Sequence, residues 1–106
     1  MANPLAGEVA IVLNGERRVM KLTLGALAEL EERLAVGSLV DLVARFEGNS
    51  FSAGDLLELI RAGLRGGGWG GCMDELRTAE IGGGLGEASR CAALLLVRAF
   101  TPIGEG

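Results

Sequence analysis

The stretch EVAIVLNGERRVMKLTLGALAELEERLA, residues 8–35, decides the fold, because two independent local signals in it fix consecutive elements. Asn14-Gly15 is the dipeptide that a tight hairpin turn prefers, since both central positions of a type I′ turn need positive φ. With the loop at Asn14 and Gly15, Val9, Ile11 and Leu13 share a face with Arg18, Met20 and Leu22, and Glu8 falls opposite Lys21. One face is apolar and the other mixed. A two-stranded hairpin is marginal alone in water, so this one must lie on other elements. The segment that follows supplies the first of them: Thr23 is an N-cap candidate, and Leu24, Leu27, Leu30 and Leu34 recur near helical spacing, with Glu29, Glu31, Glu32 and Arg33 among the polar residues.

Further helical patterns run to the end of the chain. Gly37 suits a C′ position, and Ser38 then caps a short helix with Leu39, Leu42, Val43 and Phe46 at i, i+3, i+4 and i+7, stopping at Gly48. Ser52 with Asp55 three residues on resembles a capping box and opens a third helix to about Arg65. Its expected buried face is Leu56, Leu57, Ile60 and Leu64, with Gly63 weakening it by about 1 kcal/mol relative to Ala. Residues 66–71, Gly-Gly-Gly-Trp-Gly-Gly, are expected to form a flexible loop, because each glycine raises the entropy lost on ordering. Cys72 to Ile81 can form a short helix. The last helix, about Gly86 to Phe100, has one stripe of Ala88, Cys91, Ala92, Leu95 and Ala99, yet Leu94, Leu96 and Val97 make its middle apolar nearly all round. Such a helix sits centrally in a bundle or faces a partner. Pro102 and the Gly-Glu-Gly end suit a frayed tail.

The expected fold is therefore mainly α with an N-terminal β-hairpin (α+β): residues 1–106 as a single domain, a hairpin over 8–23, and a small bundle of four to five helices over 24–100 packed on it. The 106 residues suffice for a core without a metal or disulfide staple. Aromatic residues make up only 4% of the chain, so its apolar content is Leu, Ala and Val, which favours helix packing over a β-sandwich.

Composition excludes more chemistry than it suggests. The chain has no His, which removes the commonest general base, the usual Ser or Cys triad and most zinc sites. No cofactor, metal, small-molecule substrate or catalytic residue is expected, and the protein reads as a non-enzyme. The glycine run formally matches GxGxxG, but it follows a helix and no Gly-Lys-Ser/Thr comes after it to hold a phosphate. Cys72 lies near a helix start, where a thiolate is favoured, against the simpler reading of a small semi-buried residue; Cys91 lies on a core stripe. The Glu29, Glu31, Glu32 cluster is a solvated helix face, because neighbouring helical positions point in different directions. Trp69 either packs back on the domain or is an exposed anchor for a partner. A net charge of -4 opposes attraction to nucleic acid. The longest apolar run, Cys91 to Val97, is too short to span a membrane. The first residues lack a secretion signal and the two cysteines read as free thiols, so a cytoplasmic location is expected.

From Gly7 to Glu31 the sequence resembles the start of the small tail protein encoded by bacterial gene transfer agents and related prophages. Gly37-Ser38-Leu39 opening a short helix, Arg45-Phe46 before the turn at Glu47-Gly48, and Ala62-Gly63-Leu64-Arg65-Gly66-Gly67 closing the third helix are similar to that family's pattern. The resemblance is weakest from Gly68 to Gly86. It implies a phage-like tail assembly chaperone that binds the tape measure protein and tail tube proteins and leaves before the particle matures. The same family also carries the label tail tube protein, which implies the alternative, a structural component retained in the particle. Apolar helix faces suit reversible protein binding. The residues expected to meet a protein partner are Leu57, Ile60, Leu64 and the Trp69 loop, and an exposed hairpin edge leaves room for a homo-oligomer through strand pairing.

Overall fold

The computed structural model describes residues 7–34 and 38–100. The element order is β1 (Glu8–Leu13), β2 (Glu16–Lys21), α1 (Leu24–Arg33), α2 (Leu39–Glu47), α3 (Ala53–Gly66), α4 (Met73–Arg77) and α5 (Gly84–Phe100). The fold is the expected small α+β arrangement, a hairpin covered by helices. The C′ role of Gly37 and the tail from Pro102 fall outside the described residues.

The hairpin has the register read from the sequence: Val9 pairs with Met20, Ile11 with Arg18 and Glu8 with Lys21. Asn14 and Gly15 both adopt positive φ, 50° and 81°, as the I′ turn requires. Val9, Ile11, Leu13, Met20 and Leu22 are all buried.

Both edges of this hairpin are partly covered. A two-residue turn makes Leu13 and Glu16 a bonded pair, so Glu8, Ala10 and Val12 turn their backbone polar groups outward on β1. Each outward carbonyl has a donor: Gly82 N–H reaches Val12 O at 2.9 Å, the Cys91 thiol reaches Ala10 O at 3.4 Å, and the Arg98 guanidinium reaches Glu8 O. Ile81 adds an isolated antiparallel bridge to Leu13. On β2 the cover is the end of α3, where Gly66 and Gly67 press directly on the Lys21 and Val19 carbonyls, closer than any Cβ would allow. The edge expected to be open for strand pairing between copies is thus partly covered by the chain itself, along the β1 carbonyls and at Val19 and Lys21 of β2.

The same close approach changes the meaning of the glycine run. Gly66 is the last residue of α3 and Gly67 its C-cap, so the run begins as a packed junction with β2 rather than as free loop. Gly63, read from sequence only as a weak helix residue, lets α3 sit down on the hairpin: a Cβ there would lie 2.6 Å from Leu95 Cδ1 and 3.1 Å from Met20 Cβ.

α3 is the central helix, packing on β2, α1, α4 and α5. It needs a wide apolar arc for that, and Leu59 and Ala62 are buried with Leu56, Ile60 and Leu64. The single stripe read from sequence left out Leu59 and Ala62 and included Leu57, which lies at the margin and is half-buried. A related shift occurs in α1. At about 100° per residue, Leu24 lies well off the direction shared by Ala26, Leu27, Leu30 and Leu34, and it is exposed while Ala26 is buried.

Caps and ion pairs fix the helices relative to one another. Ser38 with Asp41 and Ser52 with Asp55 both form reciprocal capping boxes. Asp55 also takes a forked pair from Arg45, at 2.9 and 3.2 Å, which ties α2 to α3. Glu29 bridges to Arg61 at 3.0 Å and Arg65 at 3.3 Å, and Arg33 to Glu58 at 2.8 Å, joining α1 to α3. Glu29 is thus a structural partner of α3, while Glu31 and Glu32 face solvent. α4 is shorter than the Cys72 to Ile81 helix expected, because residues 79–82 leave it to pair with the end of β1.

Candidate functional site

Among the described residues no group of three His, Cys, Asp or Glu side chains is placed to hold a metal ion. No buried side-chain nitrogen or oxygen of the described residues lacks a partner either. The two thiols stand far apart in character. Cys91 is fully buried, and burial, then the Glu87 carboxylate 3.5 Å away, pushes its thiol up. Cys72 is exposed at the start of a five-residue helix, where its N–H donates to Glu75 Oε1 at 3.3 Å and its sulfur lies 3.6 Å from the same carboxylate oxygen. The glycine run lies at the C-terminal end of α3, where the helix dipole is negative and opposes a phosphate.

What the helices do leave open is apolar concavity. One groove, of about 240 Å³, runs between α3, α4 and the start of α5, with Leu57 and Ile60 on its α3 wall, Leu76 and Ile81 opposite, and Leu85 at its mouth. Leu85 is 77% exposed. Ile60 is 3% exposed and forms the floor, so an aspartate at that position would test folding as much as binding.

The four residues expected to meet a partner are therefore divided. Leu57 and Ile60 come together in this groove. Leu64 is 0% exposed and belongs to the interior. Trp69 stands apart from the groove: its backbone N–H donates to Leu64 O at 2.8 Å, its ring folds back over Gly71, and it packs half-buried beside Arg17, Arg18 and the glycine junction. Of the two sequence readings, the packed-back tryptophan is the one observed.

Sequence reasoning missed a second groove, of about 310 Å³, between α2 and the C-terminal half of α5. Val43, Phe46 and Glu47 form one wall, and Ala93, Leu96, Val97 and Phe100 the other. Its α5 signal was visible as a helix apolar on too many sides. Its α2 wall was hidden, because the stripe there read simply as core.

Among the described residues this small α+β domain carries apolar grooves on both sides of α5 and no cluster placed to hold a metal ion. The chain belongs to the family described as phage tail tube protein, GTA-gp10, whose model matches residues 6–101. No match was found among curated proteins or among solved structures. The family has a phage-tail role, is structural rather than enzymatic, and works through assembly with other tail proteins. No described helix is long and apolar enough to cross a membrane.

Proposed function

We propose that this chain is a non-enzymatic tail assembly chaperone of a gene transfer agent or prophage. It acts in the cytoplasm of the producing cell, binding tape measure and tail tube proteins through apolar helix surface and leaving before the particle matures. The observation that carries this reading is the hairpin with both edges partly covered beside apolar grooves that stand open among the described residues. Continuing a sheet from copy to copy needs an open strand edge, and here both edges are partly covered by the chain itself. Groove-lining side chains such as Leu57 and Leu85 instead offer area that a partner can cover and release. The family description favours a second reading, a structural tube component retained in the particle.

Co-expression with the neighbouring tape measure and tail tube proteins tests the first reading. Soluble co-elution with either, lost in Leu85→Asp while circular dichroism stays unchanged, supports docking through the α3–α4–α5 groove. Mass spectrometry of purified particles separates the two readings: absence fits a departing chaperone, and stoichiometric presence overturns it.

A further inference from the structure

We propose that the groove between α2 and the C-terminal half of α5 is a second docking site, for an apolar segment of a partner protein that carries a lysine or arginine beside its anchoring side chains. The inference rests on the reading of this chain as a protein-binding tail assembly component. Val97 and Phe100 stand 60% and 52% exposed on one lip, and Val40, 76% exposed, extends the other lip by one turn of α2. On the floor the Phe46 ring stacks on Phe51, with centroids 4.3 Å apart and planes 4° from parallel.

Three observations select the occupant. A small molecule needs several converging polar groups for orientation, and among the described lining residues only Glu47 supplies a polar side chain. A second copy of this chain is disfavoured by charge, because among the described residues the groove's rim carries an acidic side chain and no basic one. An isologous contact would also bring two Glu47 carboxylates to one interface, like charge against like. Finally, Glu47 is uncommitted among the described residues, since Arg45 is held by Asp55 and Arg98 by the Glu8 carbonyl. A carboxylate at the rim of an apolar groove is complementary to a cation flanking an apolar anchor.

The probe is a labelled synthetic amphipathic helix about three turns long, with leucines at i, i+4 and i+7 flanked by lysines, compared with the same peptide carrying glutamates. In fluorescence anisotropy the lysine peptide is expected to bind about three- to tenfold tighter than the glutamate peptide, as a rim charge pair allows. Glu47→Lys should reverse that order, and Val97→Asp should weaken both peptides about tenfold or more. Equal binding of the two peptides, binding of neither, or affinities unmoved by both substitutions overturns the proposal. So does a dimer in sedimentation that Val97→Asp abolishes, because the occupant is then a second copy. Tail proteins that co-elute equally with the unmodified chain, Glu47→Lys and Val97→Asp sink this groove alone and leave the chaperone reading standing. An unmodified chain that captures neither tail protein but binds the lysine peptide sinks the chaperone reading and supports the groove.

Discussion

Gly66→Ala separates local propensity from tertiary packing in a single methyl group. Within an isolated helix the change is stabilising by up to about 1 kcal/mol, through helix propensity and a less flexible unfolded chain. In the folded protein the new Cβ would overlap the Lys21 carbonyl oxygen and crowd the Thr23 nitrogen. Both are backbone atoms, so no side chain can swing aside, and the end of α3 must lift from β2. Lifting it loosens the seat of Gly63 against Met20 and Leu95, both fully buried. Overpacking of this kind costs about 1–3 kcal/mol, and a backbone clash places it in the upper half of that range. After subtracting the propensity gain, a net loss of about 1–2 kcal/mol remains, which for a domain of this size lowers Tm by roughly 5–15 °C. Thermal and urea unfolding followed by circular dichroism measures it, with Gly86→Ala as control, since a Cβ at Gly86 meets nothing within 4 Å. A Gly66→Ala protein as stable as the unmodified chain would refute the close approach of α3 to β2.

Asp55 should make stability fall on acidification. Burial pushes its carboxyl up, but the Ser52 N–H and the Arg45 guanidinium outweigh that and hold it below the usual carboxylate value. A folded pKa below the unfolded one contributes stability above about pH 4 that is lost as pH falls through the folded pKa, so Asp55→Asn should flatten the acid limb of urea midpoints against pH and cost about 1 kcal/mol at neutral pH. Thiol labelling with a chromogenic disulfide should modify Cys72 quickly and Cys91 only on unfolding, because Cys91 is fully buried; fast labelling of both would contradict the α5–β1 packing. Asn14→Ala should destabilise by about 1–2 kcal/mol, since alanine is strained at φ 50° and the Glu80 N–H loses its 2.9 Å bond to Asn14 Oδ1. Asn14→Gly should recover the strain component only, so melting of the two variants divides the effect.

Much of the fold was legible because its signals are local. Asn14-Gly15 requires positive φ at both turn positions, and that fixes the register of β1 and β2 without help from the rest of the chain. Ser38 with Asp41 and Ser52 with Asp55 cap their own helices within four residues, so their starts are written where they occur. Cys91 and Ala92 lie on a stripe whose 3.6-residue period marks burial whatever covers it. The family resemblance added the phage-tail context, which composition alone does not contain.

The candidate site divides along the same line. Leu57 and Ile60 could be picked from the α3 pattern, but their sharing one groove with Leu85, and the absence of Leu64 and Trp69 from it, depend on where α4 and α5 cross α3. Periodicity gives the direction a side chain faces on its own helix, not which neighbour stands there. The same holds for Leu24, which repeats with its helix yet faces solvent, and for Val97 and Phe100, which line the groove between α2 and α5 and stay exposed. Composition alone made Gly66 and Gly67 look like loop; their packing against the Lys21 and Val19 carbonyls is long-range and leaves no local signature. By itself the sequence determined the hairpin, the helix starts and the lack of histidine chemistry, because each follows from neighbours in the chain. Only the tertiary structure decided that the hairpin's edges are partly covered and that apolar surface remains in grooves beside α5, because both depend on distances between residues far apart in sequence.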